Sequence, residues 1–202
     1  MLAGLQLGML GRFDEALSVF EYVRDRDPLY LVNLFNLAGT YFHANRWEDA
    51  AATSRTILDL NGLNEAVPVF LSLALLQMDE FEEALSAVES VAIPSWRLML
   101  LALASYALVR QPEFESAFQE LREEWGEEDT DAVATVYAYT GDVDAAFEWL
   151  DRVTPHISYP VDPYFTNLHD DPRWTAWLER MHPSMEELAA ISFEVRLPTI
   201  RE

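Results

Sequence analysis

Three short phrases, Phe13-Asp14-Glu15-Ala16, Trp47-Glu48-Asp49-Ala50 and Phe81-Glu82-Glu83-Ala84, share one order of aromatic, acid, acid, alanine. Their aromatics lie 34 residues apart twice, and so do their alanines. A chain that repeats itself at a fixed interval of roughly 20–50 residues folds as stacked units, because one unit cannot bury its apolar face alone. This spacing constrains the fold more than any other feature of the sequence.

In the first unit the types follow the demands of two packed helices. Gly4 and Ala16 are small enough to let the helices approach, Gly11 permits a tight turn between them, and Phe13 and Phe20 fill the wedge to the neighbour. Pro28 ends the second helix. This order of small, large, small, aromatic, alanine, aromatic and proline positions resembles the tetratricopeptide repeat family. The resemblance implies an all-α, right-handed solenoid of about five helix-turn-helix units that binds proteins and carries out no chemistry.

Units are expected at about 1–28, 29–62, 63–94, 95–125 and 130–154. Asn61-Gly62 supplies a left-handed end to the second, and Pro68 sits in the first turn of a helix. In the fourth, Phe114 and Ala117 follow Phe81 and Ala84 by 33, with Pro112 holding the turn. In the fifth, Gly141 turns the chain and Ala146 follows Ala117 by 29, so the linker between these units reads as trimmed, with Asp129 or Thr130 capping the next helix. The packing positions are therefore Phe13, Ala16, Trp47, Ala50, Phe81, Ala84, Phe114, Ala117, Gly141 and Ala146.

Beyond Thr154 the prolines multiply, and residues 155–202 read as a Pro/Trp-rich cap over the last unit. Asp171-Pro172 pairs a helix cap with a first-turn proline, and Trp174, Trp177, Leu178 and Met181 mark one apolar face of a helix over about 172–182. Ser184-Met185-Glu186-Glu187 is a capping box, and Phe193, Val195 and Leu197 alternate as in an extended strip laid on the array. On Asp162-Pro163-x-Phe165, Asp171-Pro172-Arg173-Trp174 and Leu178-x-x-Met181, this segment resembles the end of repeat arrays in bacterial cyclase-type and winged-helix regulators. That likeness, with a helix opening almost at Met1, implies a piece of a larger regulatory protein.

Charge limits the partners. Thirty-five acids face 13 bases, all arginine, for a net −22. Such a field repels nucleic-acid phosphates and anionic membrane surfaces and favours a basic protein. With no cysteine, thiolate chemistry and disulfides are excluded. The longest apolar run, Leu98 to Val109, is too short to span a bilayer and reads as a helix buried mid-stack. A cytoplasmic location is expected, or a periplasmic one in a membrane-anchored regulator.

Registering the units assigns a concave groove to Leu5, Met9, Phe35, Gly39, Phe42, His43, Val69, Leu73, Leu76, Tyr106, Val109, Arg110, Thr135, Ala138 and Tyr139. It is apolar and aromatic, fit for an amphipathic helix or an extended peptide. An alternative is equally open at this stage: the chain's own cap, or a twin subunit in a homodimer, covers this surface. Replacing Phe35 and Phe42 by serine is expected to spare folding and remove partner capture. A subclass that grips acidic tails with lysine, asparagine and arginine is not matched, since only Asn36 fits and lysine is absent. No catalytic residue, cofactor or metal is expected: His43, His156, His169 and His182 never pair at helical spacing, and no phosphate loop or nucleophile elbow occurs.

Overall fold

The computed structural model describes residues 2–60, 66–153, 163–181, 191–195 and 197. The described residues contain no strand. Ten helices form five hairpins: α1 (Leu2–Met9) with α2 (Phe13–Arg24), α3 (Leu31–His43) with α4 (Trp47–Asp59), α5 (Val67–Gln77) with α6 (Phe81–Val88), α7 (Pro94–Ala107) with α8 (Gln111–Glu120), and α9 (Thr130–Thr140) with α10 (Val143–Leu150). A π-helical turn, Leu121–Trp125, extends α8. After α10 come a 3₁₀ helix, Pro163–Leu168, and α11 (Pro172–Met181).

One turn geometry recurs in every hairpin. Gly11, Asn45, Asp79, Val109 and Gly141 all take positive φ, between 57° and 84°. The next amide then bonds back into the helix: Arg12 to the Leu7 carbonyl, Arg46 to Tyr41, Glu80 to Leu75, Arg110 to Ser105 and Asp142 to Tyr137, at 2.8–2.9 Å. These bonds satisfy carbonyls that a helix end otherwise leaves open. Glycine, asparagine and aspartate tolerate the left-handed conformation, whereas a β-branched valine at 109 is strained there.

The turns correct the register of the fourth unit. Val109 lies 30 residues after Asp79, so Gln111, not Phe114, opens α8 where Phe81 opens α6. Phe114 sits one turn inside the helix. Residues three apart share a helix face, so a slip of three leaves the inward pattern nearly intact and hides in the sequence. The shortening arises in α6, which has 8 residues against 12 in α2 and 13 in α4. Gly141 follows Val109 by 32, so a smaller loss also falls between the fourth and fifth units. Pro94 and Pro112 fall within the first two positions of α7 and α8, where they start helices instead of ending the segments before them. Asp129 occupies the cap position of α9 without a capping bond, while Asp142 accepts one from the Ala145 amide at 3.2 Å.

Small residues set the spacing between helices. Ala16, Ala50, Ala84 and Ala146 are fully buried. A methyl group built on Gly4 would come within 2.6 Å of the Phe20 ring, so only glycine admits α2 at this distance. Across units, buried Asn33 donates to the Phe20 carbonyl at 2.9 Å. The acids of the repeated phrase are exposed apart from half-buried Asp49, yet two of them bridge units: Arg55 to Glu83 at 2.5 Å and Arg110 to Glu82 at 2.8 Å. Exposed pairs of this kind contribute little each, about 0–1 kcal/mol.

Curvature follows from which helices touch. α3 packs on α5, α5 on α7 and α7 on α9, whereas no two successive second helices pack to a comparable extent. The stack therefore bends toward its first helices, and these line the concave face. The helix of the longest apolar run is buried through Ser105, then surfaces at Tyr106 and Val109. α5 is more completely enclosed, with nine residues from Val67 to Leu76 buried.

The apolar face of the last hairpin is covered. Phe165, Leu168, Trp174, Trp177 and Met181 form one cluster with Ala134, Ala138, Ala146, Phe147, Leu150 and Val153. Trp177 donates its indole N–H to the Leu150 carbonyl at 3.1 Å, and Asn167 its amide to Ala138 at 3.0 Å. Asp171 accepts from the Arg173 amide at 2.9 Å, so it does cap α11. Arg173 also pairs with Asp144 and Arg180 with Asp151, both at 2.9 Å. Phe193 and Val195 pack on the main core. The expected Asn61-Gly62 cap, the 184–187 capping box, Asp162, His156 and His182 lie outside the described residues.

Candidate binding groove

Counting back from each positive-φ turn brings equivalent residues of the first helices into register. Phe42, Leu76, Tyr106 and Ala138 stand three before the turn, Gly39, Leu73 and Thr135 six before it, and Phe35 and Val69 ten before it. His43 and Tyr139 stand two before. They fall on the first helices of their units, and their exposure divides sharply.

From Phe42, at the end of α3, to the fifth unit the face is filled from within. Tyr164, on the 3₁₀ helix, is 4% exposed and belongs to the main core. Its hydroxyl donates to the Leu73 carbonyl at 2.7 Å. Its ring lies 6.3 Å from that of Phe42 and 6.1 Å from that of Tyr139. Leu73, Trp96, Met99, Ala132 and Thr135 line a small cavity beside it with Asp129 and Asp131. Val69, Leu73, Leu76, Thr135 and Ala138 are all buried, as is Gly39, whose α-carbon faces the Phe70 ring. Phe42 is only 2% exposed, so a serine there would open the core, and the expectation that folding tolerates it is withdrawn. Burial raises the pKa of Tyr139, with Asp79 and Tyr106 adding to it.

Over the first two units the face is open. Met9 is 44% and Val32 50% exposed, and Leu5, Phe35 and His43 are partly so. Met9 stands two before its turn, where Tyr139 stands; Val32 stands thirteen before, where Trp96 stands. The positions that hold Tyr164 at one end are thus apolar and uncovered at the other. Val32 was not among the residues assigned from sequence. The signal was available, since it lies three before Phe35 on the same helix face. Exposed Leu29, Tyr30 and Leu31 continue the apolar surface beside it. At the far rim Tyr106, packed on Phe114 and Tyr139, and Val109, 85% exposed, stand out from the array, with Arg110 held by Glu82.

Beneath the open face a polar network joins the first two units. Tyr41 donates to Glu21 at 2.6 Å and accepts from Arg24 at 3.1 Å, while the Arg46 guanidinium lies 4.6 Å above its ring. Burial, and next the bond to Glu21, push the Tyr41 phenol up to about 12. In the cap, the side-chain bond from Arg173 holds the Asp171 carboxyl down at about 2. Among the described residues no three histidine or acidic side chains are placed to hold a metal ion, and His169 lies against Trp174 at 5.1 Å. No described helix is long and apolar enough to cross a membrane.

Comparison places this architecture. A tetratricopeptide repeat model matches residues 9–62. The Thermus thermophilus protein TTC0263, a thermophilic tetratricopeptide protein, shares the fold at a TM-score of 0.60 and 20% identity over 93% of this chain and 96% of that one. MamA aligns at 0.58 and 18% identity, over 74% of this chain and 91% of its own. YrrB, a tetratricopeptide protein described as having an unusual peptide-binding site, aligns at 0.54 and 13% identity over 88% of both chains. No curated protein matches the sequence. The molecule is a tetratricopeptide-repeat solenoid of the all-α class. Proteins of this class act in general as non-enzymatic interaction scaffolds.

Proposed function

We propose that the chain is a protein-interaction module that takes its partner on the first helices of its first two units. One observation carries the reading: Met9 and Val32 are apolar and exposed at positions whose equivalents are half-buried, Tyr139 against the Tyr164 ring and Trp96 in the wall of the cavity beside it. An apolar anchor supplies affinity there, and the surrounding acidic field steers a basic segment. Binding is by shape and charge, without catalysis. The cap's likeness to the ends of arrays in cyclase-type and winged-helix proteins supports a place as the scaffolding or sensory part of a bacterial regulator, in the cytoplasm.

The test is fluorescence polarisation against amphipathic peptides with basic flanks, at low and high salt, using the wild type and a Met9→Glu/Val32→Glu double variant. Binding that weakens with salt and disappears in the variant supports the proposal. Light scattering addresses the rival, a homo-oligomerisation module whose groove its twin fills. A tight dimer that the same two substitutions dissociate, with no peptide bound by the wild type, overturns the first reading in favour of the second.

A further inference from the structure

The closed half of the groove records what that surface accepts. Tyr164 reaches it from 91 residues beyond Leu73 and is buried against first helices of three units. The walls suit an aromatic ring: Phe42 and Tyr139 flank it, and Leu73, Met99 and Trp96 line the space around it. At its far end stands a polar acceptor, the main-chain carbonyl of Leu73 in the middle of α5. A carbonyl has two lone pairs, so this one takes the phenol without surrendering its helical bond. Asp129 and Asp131 lie at the edge. A tyrosine satisfies every part of this site; a phenylalanine fills the walls but leaves the acceptor without its added partner.

The occupant is held from outside the pocket as well. Asn167 donates to Ala138 on α9, and Leu168 is fully buried in the terminal cluster. We propose that this is a pocket for the tyrosine of a peptide ligand, kept shut in cis by Tyr164, so that an incoming tyrosine and Tyr164 compete for one place. The proposal deepens the groove reading and rests on it, adding a ligand class and a latch for the closed half. A side chain tethered in cis acts at an effective concentration of order mM, so weaker ligands are excluded until the latch lifts.

The probe is a fluorescein-labelled peptide with the sequence of residues 160–170 of this chain, titrated into the full-length protein. The Tyr164→Ser variant is expected to bind it at least about tenfold more tightly than the wild type, because its pocket is vacated. Asn167→Ala, which loosens the latch and leaves every pocket wall in place, is expected to fall between them. A control peptide with serine in place of its tyrosine is expected not to bind, and one with phenylalanine to bind about threefold to tenfold more weakly than the parent. Equal affinity of wild type and Tyr164→Ser, or equal binding of the serine control, overturns the proposal. If Tyr164→Ser loses its helical circular dichroism, Asn167→Ala decides alone, and no gain over wild type overturns it. Met9→Glu/Val32→Glu removes only the anchors of the open groove, so a failure of the latch and a failure of the open-groove reading are told apart.

Discussion

The two ends of the concave face are built from one template and finished differently. At the C-terminal end Tyr164 is buried against the first helices, while Phe165 and the tryptophans of α11 cover the last hairpin. At the N-terminal end the equivalent positions carry Met9 and Val32, and water covers them. Repetition therefore fixes the shape of the groove without fixing its occupancy. Equivalent places in one array are core at one end and exposed apolar surface at the other.

That contrast is open to direct attack. The largest effect is expected at Trp177, which is 9% exposed and bonded to Leu150. Trp177→Ala should lower the urea-unfolding free energy by about 3–5 kcal/mol, whereas Val32→Ser at the open end should stay within about 0.5. Similar costs at both ends would erase the distinction. Next, Ala50→Leu or Ala84→Leu should overpack a fully buried contact and cost about 1–3 kcal/mol, since the scaffold is common to both halves. A neutral outcome at either position would contradict the repeat packing.

Smaller and opposite in sign is Val109→Gly. The valine holds φ at 57° while 85% exposed, so it gains almost no burial for its strain. Relief by glycine should raise the thermal midpoint, by the equivalent of about 1 kcal/mol. A drop would mean that the turn needs its side chain.

The halves should also respond at opposite ends of the pH scale. Asp171 is held down at about 2, below the usual aspartate value near 4, so its contribution is complete above that value and is lost as pH falls toward 2. Tyr41 is pushed up to about 12, so its contribution is complete below a phenol's usual value near 10 and is lost as pH rises toward 12. Asp171→Asn should flatten the acid limb of the stability profile alone, and Tyr41→Phe the alkaline limb alone. A single substitution that altered both limbs would show that the halves are not separable.

The sequence disclosed the scaffold because its signals are local. Gly11 and Gly141 turn the chain where the 34-residue spacing and the fifth unit require, and Pro68 lies in the first turn of α5. It concealed the fourth unit's register, because Gln111 and Phe114 are one helical turn apart and the face they share is the same. It concealed the latch for a different reason. Tyr164 sits between Pro163 and Phe165, and the motif there drew notice to the proline and the phenylalanine; nothing nearby says that the tyrosine reaches α5. Contacts across 91 residues leave no period to read. Val32 fell between these cases, lying on a legible helix face but one turn beyond the segment that was counted.

A stack in which each unit touches only its neighbours behaves like a row of coupled switches, able to melt from either end one unit at a time. The bond from Tyr164 to Leu73, with the ring against Phe42, ties the 3₁₀ helix that follows the array to its second and third units. It turns part of the row into a loop, so the stretch from α3 to α9 opens together or not at all. α1 lies outside that loop. Native-state hydrogen exchange should therefore find two levels of protection in one continuous array, with the amides of α1 exchanging through local fraying and those of α5 and α7 only through the concerted opening of everything the tyrosine spans.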